Sequence, residues 1–338
     1  MILPCRHRYV PYGEAAASPN IVIDGTPNDN TVLPLSHWPK SGTPWELKAD
    51  TSVEVVFRYL DRPRHHVAVE PVTNDHFDED GMIGLWCMIH PEEAMAARDL
   101  LCDASPAGDF ATYRDRRAAR IAFAVSRLVD RELSPWGREA FPKAYPDYCA
   151  MTYGRLLTMF GAILSDLDGH ADLWRDEDAL LTASEAALER GEATIEEIAA
   201  VDLAVVRVPA DWPDRPAHRF TQQRRVMIHP MAVHNRTACN RIVTLCGDRV
   251  AFTYRYESWV QMVSARPPAR VDLKPLAAKL SEREGGARAW AFDGVEQIVP
   301  VLAPGDGRTG LSETILLEAL QQALAEGAPA WDPYDAAA

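Results

Sequence analysis

The sequence has no cysteine pair of the CxxC kind. Its six cysteines (Cys5, Cys87, Cys102, Cys149, Cys239 and Cys246) are scattered, which excludes a dense disulfide framework. Cys87 lies in an apolar run, where a buried reduced thiol is expected. There is no run approaching the roughly 18 apolar residues that span a bilayer, so no membrane partner is expected. The opening stretch MILPCRHRYVPYG lacks a charged start followed by a long apolar segment, and no secretory signal is read there. Internal repeats are absent. Positive charge is also short, with 35 Lys and Arg against 49 Asp and Glu and a formal charge of −14. That balance disfavours a broad phosphate-coating surface and hence duplex nucleic acid as a partner. A small anionic substrate in a local basic pocket is compatible with it, and a bound divalent metal would reverse the local field. These absences together predict a cytoplasmic, reduced, soluble protein.

What is present suits two domains, each with its own core: 338 residues, 47% hydrophobic and 25% charged. Short runs rich in Val, Ile and Leu, bounded by Gly, Pro, Asn or Asp, predict strands at NIVIDG (20–25), TVLPLSHW (31–38) and HHVAVEPV (65–72). Between them DTSVEVVFRYL (50–60) predicts a helix capped by Asp50 or Thr51, with Val53, Val56, Phe57 and Leu60 on one face. GMIGLWCMI reads as a buried helix, and 92–102 and 115–129 continue helical. This alternation predicts an α/β fold with a mostly parallel sheet flanked by helices. From about 148 to 200 the pattern is helical, with Leu156, Met159, Phe160, Ile163 and Leu167 on one stripe and TIEEIAAVDLAVV following. Three prolines in VPADWPDRPAHRF mark 208–220 as a linker. The last third then predicts a hairpin turning at Gly247-Asp248, a helix at LKPLAAKLSERE, strands at ARAWAF and EQIVPVLA, and a helix at 311–325. The expected organisation is a larger domain at 1–207, the linker, and a smaller α/β lobe at 221–335.

The segment VTNDHFDEDGMIGLW (72–86) places His76, Asp78 and Asp80 at alternating positions before a glycine and an apolar run. An EF-hand loop fails here, because its closing glutamate position is occupied by Cys87 and its second half is apolar. A strand ending near Asn74 and turning into a helix does fit. Alternate residues of an extended segment point the same way, and ligands of open α/β sheets gather at the carboxyl ends of strands. Gly81 would let the backbone approach closely as the helix begins. Mixed imidazole and carboxylate donors suit manganese, iron or magnesium better than a thiolate-loving structural zinc. The competing reading is a solvated acidic turn that caps a helix, with His76 incidental.

His-x-Asp-x-Asp-Gly after a strand and before an apolar helix resembles the first motif of the DHH phosphoesterase superfamily. TVLPLSHWP followed by ADTSVEVVFRYL resembles that family's Asp-His-His segment, with Ser36-His37-Trp38 in place of the triplet. NIVIDG resembles the strand that carries a lone metal-binding aspartate, here Asp24. VAFTYRYESW and RVDLKPLAAKLSEREGGARAWAF resemble the DHH-associated C-terminal lobe, with Arg255, Gly285 and Gly286 at the matching positions. The departures are specific. The order of the motifs is circularly permuted, the triplet keeps only His37, and Ala287-Arg288 stand where the family's glycine-rich loop has its histidine.

The resemblance implies a two-metal site on a parallel sheet, with manganese favoured and magnesium or iron compatible. His76, Asp78, Asp80, Asp24, His37 and Asp109 would be ligands, with Asp166 the alternative to Asp109, which is preferred as a loop residue. Asp80 or Asp24 would bridge the ions, and His37 and Asp80 would take part in catalysis. Arg255, Gly285, Gly286 and Arg288 would hold the substrate. The implied activity is hydrolysis of a phosphoester in a small nucleotide or short oligonucleotide, and a homodimer is compatible with it. Loss of the triplet's second histidine favours a rival reading, a non-catalytic protein of the same fold that binds a metal or a small anion. A purely structural role is the third reading.

Other polar residues carry plainer readings. His229 and His234 read as loop residues, His170 as a helix-end histidine, and His65-His66 as loop. The basic run RDRRAAR (114–120) reads as a solvated helix face balanced by acids, and Trp38, Trp45 and Trp86 as packing residues or a base-stacking pocket.

Overall fold

The computed structural model describes residues 3, 5–212, 215–216, 225–285 and 288–335. The fold is α/β and divides into two compact units, Met1–Ala179 with Met262–Ser264, and Leu180–Gln261 with Ala265–Ala338. Among the described residues no helix is long and apolar enough to cross a membrane.

The first unit holds a wholly parallel sheet of β1 (Arg8–Tyr9), β2 (Asn20–Ile23), β3 (Thr31–Leu35) and β4 (Pro71–Thr73), in the spatial order β1-β4-β2-β3. Every residue of β2 is buried, the continuous apolar run expected of an inner parallel strand. Of the stretch 65–72 expected to be extended, only the end forms a strand. A short helix α1 (Tyr12–Ala15) follows β1, and α2 (Ser52–Leu60) follows β3. Thr51 is the cap of α2, its hydroxyl accepting from the Glu54 amide at 3.4 Å. Val53, Val56, Phe57 and Leu60 are all buried.

The helix α3 (Glu79–Ile89) comes after β4 and is buried from Glu79 to Met88. Gly84 lets it close on β2: a Cβ there would lie 2.8 Å from Ile23 Cγ2. Around it pack α4 (Pro91–Ala96), α5 (Arg98–Asp109), α6 (Arg116–Val129) and α7 (Tyr145–Ser165). On α7 the stripe residues Leu156, Phe160 and Ile163 are buried. The basic run at 114–120 is matched by acids: Arg116 and Arg120 reach Asp178 at 2.6 and 3.2 Å, and Arg117 pairs with Asp115 at 2.5 Å.

The division between units falls within α8 (Arg175–Glu189). Beyond it TIEEIAAVDLAVV, expected to be helical, forms an antiparallel hairpin of β5 (Thr194–Ile198) and β6 (Leu203–Val208). Two properties of the segment explain the difference. Its β-branched residues pack well on a pleated surface, and Asp202 adopts the left-handed φ of 51° that turns the chain between the strands. Of the stretch 208–220, residues 213, 214 and 217–220 lie outside the described residues, which resume with the small pair β7 (Arg215–Pro216) and β8 (Arg225–Val226).

After α9 (Pro230–His234), β9 (Arg241–Cys246) pairs in parallel with β6, so residues 180–207 share a sheet with the C-terminal strands. The hairpin from β9 to β10 (Arg249–Tyr254) turns at Gly247-Asp248, where Gly247 has a φ of 63°. Next come β11 (Arg270–Val271), α10 (Lys274–Arg283), β12 (Trp290–Phe292), β13 (Val301–Pro304), α11 (Glu313–Glu326) and β14 (Pro329–Trp331). The resulting mixed sheet runs β12-β13-β10-β9-β6-β5. Leu203 and Val205 of β6 join the core beneath α10 and α11, whereas Ala204, Val206 and Val208 join a second core with Ala187 of α8 and Val233 of α9.

Among the described residues Arg270 is the largest fully buried side chain. Its Nε donates to Ser258 Oγ, Nη1 to the carbonyls of Val295 and Gln297, and Nη2 to those of Arg255 and Ile298, at 2.6–3.1 Å. All five guanidinium N–H groups are thus used. Replacing Arg270 by Leu would strand four carbonyls, and we expect a loss of about 3 kcal/mol or more in urea unfolding. A loss under about 1 kcal/mol would mean that water or a neighbour satisfies them instead.

Candidate metal centre

Three adjacent parallel strands deliver the first ligand candidates from their carboxyl ends. Asp24 follows β2 directly, His37 stands two residues beyond β3, and His76 lies in the turn after β4. Because β2 lies between β4 and β3, Asp24 is central. Its left-handed φ of 52° belongs to the small set of conformations that a short polar side chain tolerates. Asp78 and Asp80 come from the start of α3, and Asp109 is the last residue of α5 rather than a loop residue. Asp166 lies at the carboxyl end of α7, exposed, where its carboxylate accepts from the Gly169 amide at 3.0 Å.

The ligand atoms form two groups that share Asp24, one with His76 and Asp78 and one with His37 and Asp80. Within each group the atoms lie within 4.8 Å of one another. His37 Nε2 is 3.4 Å from Asp24 Oδ1, 3.5 Å from Asp109 Oδ2 and 3.8 Å from Asp80 Oδ2. His76 Nε2 is 2.8 Å from Asp78 Oδ2 and 3.6 Å from Asp24 Oδ2. The His37 group is sealed, with the side chains of Asp24, His37 and Asp80 at 0% exposure, whereas His76 and Asp78 retain 18% and 14%. Solvent therefore reaches the cluster from the His76 side.

Each histidine is oriented through its other nitrogen. His37 Nδ1 lies 2.6 Å from the Asp50 carbonyl; a carbonyl only accepts, so Nδ1 carries a proton and Nε2 is the nitrogen that faces the carboxylates. His76 Nδ1 lies 3.0 Å from Asp75 Oδ1 and Nε2 lies 2.8 Å from Asp78 Oδ2, so both ring nitrogens of the imidazolium donate to carboxylates, and loss of the Nε2 proton would leave a lone pair turned toward the cluster. A ring nitrogen held by a carbonyl or carboxylate while the other faces a cluster of acids is the arrangement of metal-ligating histidines. The ring of Trp38 stacks on His76 at a centroid distance of 4.7 Å, and Tyr153 on α7 donates to the His76 carbonyl at 2.8 Å.

The acids are fixed as firmly. Asp80 accepts from the Ser52 and Val53 amides at 2.6 and 2.9 Å and from Ser105 Oγ at 2.5 Å, so its charge rests on the positive end of α2. Ser52 Oγ donates to Asp24 Oδ1 at 2.8 Å. Asp78 caps α3, its Oδ1 accepting from the Gly81 amide at 2.8 Å. A Cβ on Gly81 would sit 2.2 Å from Asn74 Nδ2 and 2.9 Å from Asp78 Oδ1, which is why the first turn of the helix can close so tightly here. Helix capping and a place in the cluster are thus both true of Asp78, through different oxygens.

Asp24 Oδ2 and Asp109 Oδ2 are buried without a hydrogen-bond donor. Burial and the carboxylates of Asp78 and Asp80 push the Asp24 carboxyl well above the usual range, and burial with Asp80, Asp78 and Asp24 does the same to Asp109. Burial also raises Asp80, against the pull of His37 and Ser105. At His76 burial favours the neutral ring, but Asp78, Asp75 and Asp24 outweigh it and hold the imidazolium well above its ordinary pKa. Orphaned acceptors, clustered carboxylates and inward imidazole nitrogens are the donor set of a hard or borderline divalent cation. The residues fit a metal ion.

The remaining candidates belong to the second unit. Arg255 is buried in the second unit, with Nη1 donating to the Thr237 carbonyl at 3.0 Å and Nη2 to Glu257. Arg288 is half-buried and pairs with Glu284 and Asp306 at 3.5 and 3.6 Å. Gly285 follows α10 with a φ of 66°, and Gly286 lies outside the described residues. Sequence reasoning missed Ser105 and Asp75; the small Ser/Thr opening of α2, which includes Ser52, was the one available signal for the anchoring of Asp80.

These shifts set the sign of a pH dependence for chelator-treated protein. Asp24, Asp80 and Asp109 bind protons in the folded state that the unfolded chain releases, so the stability they contribute is lost as pH rises through their folded pKa values. His76 adds the same sign above its ordinary range. Asp75, lowered through His76 despite its burial, has the opposite sign but acts only below the usual aspartate range. The melting temperature of metal-free protein is therefore expected to fall as pH rises above the usual aspartate range, and Asp109→Asn to flatten that fall. A flat or rising profile would show that the cluster is not protonated as described.

No curated protein and no solved structure matches the chain. A family model described as "Family of unknown function (DUF6687)" matches residues 5–323, and the chain belongs to that family.

Proposed function

We propose that the protein is a divalent-metal-dependent phosphoesterase acting on a small nucleotide or short oligonucleotide. The observation that carries this reading is the sharing of Asp24 between two ligand groups at the carboxyl ends of a parallel sheet. Its resemblance to the DHH pattern adds support, since Asp24, His37, His76, Asp78 and Asp80 converge, and of the two candidates for the last ligand Asp109 lies beside His37 while Asp166 is exposed at the end of α7. Asp24, His76 and Asp78 would hold one ion, and Asp24, His37, Asp80 and Asp109 the other. Manganese suits the mixed imidazole and carboxylate donors, with magnesium or iron as alternatives. Ions at these positions would supply the positive charge that polarises a phosphoester and acidifies water near neutral pH.

The chain's own contribution is positional. The Asp50 carbonyl and Asp75 orient the histidine rings, the α2 amides hold Asp80, and Ser52 aims Asp24. The four carboxylates also favour ligands that arrive with cations, which selects against a bare anion. Substrate would enter beside His76 and Asp78, the solvent-facing pair.

Trp38 favours a second reading. It occupies the position at which the resemblance expects the second triplet histidine, and an indole cannot protonate a leaving group. A protein that binds a metal or anion without turnover is the alternative.

Metal content of protein purified without chelator, measured beside Asp24→Asn, tests the site. About two ions per chain in the wild type and a clear deficit in the variant are expected. Release of phosphate or nucleotide from dinucleotides and nucleotide bisphosphates with added Mn²⁺ is expected to fall at least 100-fold in the variant, as when a group acting only on the transition state is removed. Metal bound without turnover would select the second reading. No metal and no thermal shift with Mn²⁺ would sink both.

A further inference from the structure

A second feature of the first unit lies outside the metal centre. A cavity of about 350 Å³ is lined by residues that include Trp45, Glu46, Lys48, Arg58, Arg62 and Arg64. In a chain whose acids outnumber its bases by 14 (49 against 35), four cations stand here with one carboxylate. Glu46 is already engaged, accepting from Arg64 at 2.6 Å and lying 2.7 Å from His65 Nε2. Arg58 donates to the Lys48 carbonyl and Arg62 to the Arg58 carbonyl at 3.1 Å, and neither forms an ion pair with a described residue. A guanidinium has five N–H donors, so these backbone contacts fix the side chains and leave donors to face the cavity. Lys48 is half-buried, and burial lowers its pKa.

Trp45 sharpens the assignment. It is 79% exposed, the most exposed of the large hydrophobic side chains among the described residues. An indole packed into a core or hinge would not be, so its faces are open to a planar partner. Arginines near the end of α2 also complement the helix dipole, but that role accounts neither for Lys48 and Arg64 nor for the bare tryptophan. Phosphate-binding cations beside an exposed aromatic face are the combination that holds single-stranded nucleic acid and its pieces.

We propose that this cavity is a binding site for a nucleotide unit, with the phosphate among Lys48, Arg58, Arg62 and Arg64 and the base stacked on Trp45. The ligand class is a mononucleotide or a short single strand, which share this chemistry. The segment that lines the cavity continues into the metal centre. Asp50, whose carbonyl orients His37, is two residues past Lys48, a span of at most about 7 Å. If the phosphoesterase reading holds, the cavity grips the part of the substrate beyond the reacting phosphate; the binding claim itself does not depend on that reading.

The test uses full-length protein in chelator, titrated against a short fluorescein-labelled oligothymidylate and followed by anisotropy. Trp45→Ala is expected to weaken binding about tenfold, and its exposure means that the fold survives the change. Arg62→Gln is expected to weaken binding and to lower the slope of log affinity against log salt by about 0.7, the value for one phosphate contact on a single strand. Competition by adenosine monophosphate as effective as that by unlabelled strand supports a mononucleotide ligand, and displacement by strand alone supports an oligonucleotide. Absence of binding by the wild type, or unchanged affinity in both Trp45→Ala and Arg62→Gln, overturns the proposal. Binding lost in Asp24→Asn but retained in both cavity variants also overturns it, because the ligand would then lie at the metal centre. Strand binding retained in Asp24→Asn while metal is lost leaves the cavity site standing whatever the fate of the phosphoesterase reading.

Discussion

Asp80 is the point on which the first unit depends. It sits on α3, yet its carboxylate takes the two leading amides of α2 and the Ser105 hydroxyl of α5. One buried anion thereby joins three helices above the strand ends. A carboxylate in an apolar interior is costly unless hydrogen-bonded, and here three donors meet it. The same bonds bring Ser52 to Asp24 and set Asp50 against His37, so the anchoring of one acid fixes the geometry of the others. Asp24 and Asp109 receive no equivalent set of donors. The fold thus satisfies Asp80 and leaves the neighbouring charges to a proton or a cation, a division that a purely structural acidic turn would not need.

Much of this was legible from local pattern. Short apolar runs ending in Asp or His gave the positions of Asp24, His37 and His76 at strand ends, because strand direction and the carboxyl-end rule are properties of a few residues and their neighbours. The alternation of Asp78 and Asp80 pointed to a shared direction, although both aspartates belong to the start of a helix, where Asp78 caps and Asp80 faces inward. The donors that anchor Asp80 were less accessible. Ser52 and Ser105 lie 28 and 25 residues away from it in sequence; Ser52 is marked only by its place in the Ser/Thr opening of α2, and nothing in the surroundings of Ser105 marks it.

The failures share a physical cause. Residues 194–206 contain both helix formers and β-branched residues, and tertiary pairing with β9 decided between them. Arg255 looked like a substrate cation because sequence does not distinguish a solvated guanidinium from one folded against Glu257. Arg270, unremarked in the sequence, is the arginine that organises its surroundings. The basic cavity was hidden for a related reason. Its cations are spaced over 48–64 and diluted by the acidic composition, so only the packing of α2 against its flanking turns gathers them.

The spatial order of the site also bears on the motif order, which the resemblance to the DHH pattern would read as permuted. A ligand cluster at the carboxyl edge of a parallel sheet depends on which strands are neighbours, not on which comes first along the chain. With β2 between β4 and β3, Asp24 meets His76 on one side and His37 on the other whether the His76 segment precedes or follows them. Circular reordering therefore leaves such a centre intact as long as the strand order is kept, and the chain termini move to other loops. By the same reasoning, a change at one edge residue alters chemistry without altering architecture. Trp38 stands next to His37 in sequence and over His76 in space, where it shields one face of that ring and offers no titratable proton. None of the ligand candidates is Trp38 itself, so a change there keeps the donor set while altering what stands over His76.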